Sequence, residues 1–100
     1  MIYMVDIDGT IFDTIGTDYP NSEPIVERIE YFNKLYDEGH TIKYWTARGS
    51  NSGKNWYDLT LSQLNKFGVK FHEFNVGKPT YDIWIDDKAV NVDAYFIDRT

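Results

Sequence analysis

The chain contains no cysteine. A disulfide framework is therefore excluded, and so is any metal site built on thiolates. No apolar run approaches the length of a signal peptide or a membrane span, so a soluble, cytoplasmic protein with no membrane partner is expected. Basic residues are few: 10 lysines and arginines stand against 16 aspartates and glutamates, for a formal charge of −6. That balance weighs against broad non-specific binding to nucleic acid, which needs a basic face. It leaves a locally basic pocket open, and several of the acids can serve a cation. Repeats, linkers and low-complexity stretches are missing as well.

What remains is enough for one compact domain over residues 1–100, with 42% hydrophobic and 17% aromatic residues to fill a core. Ile2 to Val5 is a continuous apolar run, the sign of a strand buried on both faces of a parallel sheet. Asn21 and Ser22 are candidate N-caps, and Pro24 fits a first helical turn. Ile25, Ile29, Phe32 and Tyr36 then recur at helical spacing up to Gly39, which predicts a helix over 22–38. Thr41 to Trp45 reads as a second strand. Trp56, Leu59, Leu64 and Phe67 mark a second helix that stops at Gly68, and Val69 to Phe74 a third strand. Ile83 to Ile85 begins a fourth, and Ala94 to Ile97 makes a fifth. Strands alternating with helices predict a parallel α/β sheet.

In such sheets ligands bind beyond the carboxyl ends of the strands. Asp6 and Asp8 close the first strand, Thr46 the second, and Asp86 and Asp87 the fourth, while Lys78 lies in the loop before it. All are expected to face one crevice. The stretch DIDGT at 6–10 admits three readings. One is a polar turn with solvated carboxylates. A calcium loop is the second, and it fails because its sixth position is Ile11 where glycine is needed. The third is a nucleophile with an acid–base two residues on, projecting the same way from an extended strand, with Gly9 allowing a sharp turn. Four carboxylates in one crevice repel one another, and a divalent cation relieves this. All-oxygen ligands suit Mg²⁺. Thr46 and Lys78 suit a phosphoryl group, and the turn at Ala47 and Arg48 adds backbone donors.

As a set these residues resemble the haloacid dehalogenase superfamily. The match covers four motifs in order: DIDGT at 6–10, Thr46 in YWTARG, Lys78 in GKP, and Asp86 and Asp87 in IWIDDKA. The resemblance implies a Rossmann-like three-layer α/β/α fold with a mainly parallel five-stranded sheet in the order 5-4-1-2-3. It implies a Mg²⁺-dependent phosphomonoester hydrolase. Asp6 would be the nucleophile that forms an aspartyl-phosphate, and Asp8 the general acid and then the base. Thr46 and Lys78 would hold phosphate oxygens, with Gly9, Thr10, Ala47 and Arg48 around the substrate. Asp6, Asp8, Asp86 and Asp87 would hold the metal. An aspartate at position 8 favours phosphatase over dehalogenase chemistry.

The family's usual cap domain has no room here, since residues 11–21 make only a short flap and 49–77 are filled by one helix and one strand. The chain is similar to short capless phosphatases of capsule or surface-sugar biosynthesis, which points to a small sugar phosphate as substrate. The phosphatase domain of polynucleotide kinases is another capless relative, making a nucleotide or polynucleotide end the alternative. A non-enzymatic receiver-like or degenerate phosphate-binding module is a rival from another class; Asp8 argues against the receiver, and the four intact motifs argue against the degenerate member. Trp56 is read as core, in phase with Leu59 and Phe67, and His40 and His72 as surface or strand-edge residues. An open site without a cap leads to the expectation of a homo-oligomer bordering residues 11–21 or 48–57.

Overall fold

The apolar run that opens the chain forms β1 (Ile2–Asp6), which pairs in parallel with β4 (Thr41–Trp45) in the register Ile2 to Thr41 through Asp6 to Trp45. In this computed structural model, which describes residues 1–97, β4 pairs onward with β5 (Glu73–Asn75). The sheet order is β1-β4-β5. The helix α1 (Val26–Asp37) makes the first crossover and α2 (Tyr57–Lys66) the second. Both crossovers step the same way across the sheet, so right-handed connection puts both helices on one face. Val5, Ile42 and Tyr44 of the sheet join Ile29 and Phe32 of α1 and Leu64 of α2 in one buried cluster. No helix among the described residues is long and apolar enough to cross a membrane.

The helix expected over 22–38 starts later, at Val26, because the residues before it are used otherwise. Phe12–Asp13 (β2) and Glu23–Pro24 (β3) form a small antiparallel pair, and Ser22 is buried instead of capping. The flap between them carries a short 3₁₀ turn, Tyr19–Asn21.

The five-stranded, three-layer arrangement is not formed among the described residues. The described residues make three parallel strands with helices on one face, corresponding to strands 1, 2 and 3 of the expected order. Ile83–Ile85 pairs with nothing in the sheet, and residues 83–91 run without regular structure. Only seven residues, 76–82, separate β5 from Ile83, whereas a parallel crossover takes about a dozen or more. Ala94–Ile97 is helical, within and just after α3 (Val92–Phe96). The Asn91 side chain caps α3 by accepting the Asp93 N–H at 2.9 Å, and Tyr95 stacks on Phe32 of α1. Without a second helical layer, β1 is not buried on both faces: Ile2 and Met4 are exposed. The single-domain reading runs to Thr100, and residues 98–100 lie outside those described.

Candidate active site

β1 ends at Asp6, and the chain turns at once. Ile7 O accepts the N–H groups of Thr10, Ile11 and Phe12, and Gly9 sits at φ +81°, a backbone conformation that glycine adopts without strain. This turn brings Asp6 and Asp8 to the wall of a cleft of about 360 Å³ whose other side carries Lys78 and Tyr81. Lys78 arrives there because its N–H bonds Thr46 O at the end of β4, at 3.1 Å. Its ammonium stands 3.4 Å from Asp6 Oδ1. Burial pushes the Asp6 carboxyl above its ordinary value, and the Lys78 ammonium and the Ile7 N–H pull against that rise.

Asp8 is held quite differently. Arg48 Nε donates to its Oδ2 at 2.9 Å and Arg48 Nη2 to its Oδ1 at 2.8 Å, a two-point fork. Thr14 Oγ1 adds a bond to Oδ1 at 2.6 Å. The Arg48 side chain is 0% exposed. Its remaining donors reach Thr60 Oγ1 at 3.0 Å, Gln63 Oε1 at 2.6 Å and Ser22 Oγ at 3.2 Å. Tyr19 covers the guanidinium, with 4.6 Å from Cζ to the ring centroid. Gly49, next in chain, is required by space as well as by its φ of +82°: a Cβ there would lie 2.2 Å from Lys54 O.

Of the expected site residues, Asp6, Asp8, Ala47, Arg48 and Lys78 meet at this cleft. Arg48 was expected as a substrate contact; all its donors are instead engaged by protein acceptors, and it positions Asp8. Thr46 is buried beneath, with Oγ1 accepting the Arg48 N–H at 3.1 Å. Thr10 is buried too, and its carbonyl, like that of Gly9, accepts from Arg28 Nη1 at 3.3 Å. Asp86 and Asp87 do not line the cleft. Asp86 instead accepts the Lys88 N–H at 2.8 Å and the Trp84 indole N–H at 3.4 Å, and the Lys88 bond leads in holding its carboxyl below the ordinary value. Both oxygens of Asp8 already receive donors, and no group of three acidic or histidine side chains capable of holding a metal forms among the described residues. The donor set of the described residues therefore does not fit Mg²⁺.

Sequence reasoning missed Thr14, Ser22, Thr60 and Gln63 as the frame of Asp8. A signal was present in α2, where Thr60 and Gln63 share the spacing of the buried Leu64 on one helical face. Trp56 is half-buried and meets Tyr19 edge-on at 5.1 Å, at the border of core and flap. His72 is at the strand edge, its Nδ1 accepting the Ile42 N–H at 3.1 Å, and His40 lies against the N-terminus, 3.0 Å from Nδ1 to Met1 N.

No family model matches the chain, and no curated protein matches it either. Among solved structures it is similar to a crystal structure of a protein from Vibrio cholerae, with 28% identity, a TM-score of 0.84, and coverage of 94% of this chain and 85% of that one.

Proposed function

We infer that the protein hydrolyses a phosphomonoester through an aspartyl-phosphate. The observation that supports this most is the division of labour between two carboxylates two residues apart. Asp6 faces the cleft with a lysine as its charge partner, and Asp8 is clamped beside it. An Asp6 oxygen attacks phosphorus, and the ester oxygen departs with a proton carried by Asp8, whose carboxyl leaves the Arg48 fork at one oxygen to hold it. Water then attacks the aspartyl-phosphate, giving its proton to Asp8 and releasing phosphate and Asp6. Lys78 offsets the charge on the phosphoryl oxygens, a task of positioning and electrostatics. A site of about 360 Å³ on a chain of charge −6 favours a small phosphorylated metabolite, such as a sugar phosphate, over a polyanion.

A panel of phosphorylated metabolites, assayed for released phosphate, tests the reading. Turnover of at least one compound by the wild type and none by Asp6→Asn is expected. Turnover that survives in Asp6→Asn excludes the covalent route.

A further inference from the structure

In the arm that follows Lys78, Trp84 packs edge-on against Trp45 at 6.2 Å and Tyr81 at 5.0 Å, while the isoleucines on either side of it are open to solvent. Ile83 is 77% exposed, Trp84 41% and Ile85 92%. Beside it in sequence stand the two acids that the cleft lacks. β1 has a matching deficit. It pairs with β4 on one side only among the described residues, so its other edge offers unpaired backbone groups, and Ile2 and Met4 next to that edge are 70% and 60% exposed. A free, apolar strand edge is a template for another strand.

The arm cannot reach that edge within its own chain. Its start is fastened above β4: Ser50 Oγ donates to Lys78 O at 2.7 Å, and Thr80 Oγ1 to Asn51 Oδ1 at 2.9 Å. From Thr80 to Ile83 the chain extends at most about 10 Å. Parallel pairing with Asp86 level with Asp6 puts Ile83 about 10 Å down the strand, at about 3.3 Å per residue, and two strand spacings, about 10 Å, to the side. The diagonal, about 14 Å, exceeds the reach. A second molecule has no such limit, because its position is not set by this connection.

We propose that two copies of the chain exchange residues 83–87, each adding them as a parallel strand to the free edge of the other's β1. With Asp86 opposite Asp6, alternation puts the two acids on the same face and sets Ile83 and Ile85 beside Tyr3 and Val5. The exchange is isologous, so one dimer forms two equivalent composite sites. Each joins Asp6, Asp8 and Lys78 of one copy to the acidic pair of the other. This second part rests on the phosphatase reading; the strand exchange does not.

The absence of cysteine makes the test clean. Met4→Cys/Trp84→Cys, two exposed positions that the register sets side by side on one face, is treated with a short bismaleimide at low protein concentration. A covalent dimer of twice 11.7 kDa with no free thiol is expected, and the same mass for the untreated wild type by light scattering. An intrachain product, or a wild-type monomer that does not cross-link, overturns the exchange. The composite site is tested by co-refolding Asp6→Asn with Asp86→Ala, each inactive alone. Random pairing makes half the dimers mixed, each with one intact site, so about one quarter of wild-type activity returns. No recovery overturns the composite site. A cross-linked dimer whose wild type hydrolyses nothing keeps the exchange and removes the phosphatase reading; an active monomer does the reverse.

Discussion

Two aspartates, Asp8 and Asp86, show how differently one side chain can be provided for in a single small protein. The partner of Asp8 is Arg48, 40 residues away in sequence, buried and itself bonded to α2 and the flap. Asp86 draws on the Lys88 N–H, two residues away, in a fully exposed turn. Asp8 depends on the whole fold for its geometry. Asp86 carries its surroundings with it and would keep them wherever the arm is placed. The lesson is that local hydrogen bonding makes a ligand group portable, while long-range hydrogen bonding fixes it to a body.

The largest effect expected is on chemistry and leaves both regions standing. Asp6→Asn should reduce phosphate release about a thousandfold or more, as loss of a nucleophile does, while the circular dichroism spectrum is retained. Full activity in that variant would detach the clamped Asp8 from any catalytic purpose.

Stability separates the two regions next. Arg48→Met leaves Asp8 with Thr14 alone and the buried Gln63 and Thr60 oxygens without their donor, which costs about 3–5 kcal/mol in urea unfolding. Lys88→Ala, beside Asp86, keeps the backbone bond and should stay within about 0.5 kcal/mol of wild type, as surface substitutions do. Equal losses would erase the contrast between a fixed and a portable aspartate.

A smaller change of opposite sign is expected in the core. The Tyr44 hydroxyl is buried with no hydrogen-bond partner among the described residues, and its ring meets those of Phe32 and Phe71 edge-on. Burial pushes its ionisation well above the ordinary value of 10.0. Tyr44→Phe removes an unpaired polar atom and should stabilise by about 1 kcal/mol. Destabilisation would reveal a partner for that hydroxyl.

The smallest effect concerns pH. The Asp6 carboxyl is raised above 3.8, so just above that value the native chain holds a proton the unfolded chain has lost. The contribution of Asp6 to stability therefore falls as pH rises from 3.8 through its own raised value, and is level beyond it. Asp6→Asn should flatten that part of the stability profile. An unchanged slope would show that Asp6 is as well solvated folded as unfolded.

β1 was legible from its apolar run and β4 from its β-rich composition, and α2 because its spacing and Gly68 coincide with its end. Asp6, Asp8 and Lys78 were legible because strand ends place them. The arm was not. IWI has the composition of a strand, but a strand exists only with a neighbour, and the length of the connection decides whether the same chain can provide one. Ala94–Ile97 misled through its aromatic content, while the cap at Asn91 was the better guide. Arg48 was misread because proximity to Thr46 says where a residue is, and not what surrounds its guanidinium.

The ring of Tyr19 over Arg48 gives the flap a clock. Gln63 Nε2 donates to Tyr19 O at 2.7 Å, which ties that ring in place above the guanidinium. The Arg48 Nε proton is sealed from solvent as long as the seal holds. Its exchange with deuterium, followed by NMR in a single assigned resonance, therefore counts openings of the flap, and a substrate that presses on the flap from the cleft side will slow the count.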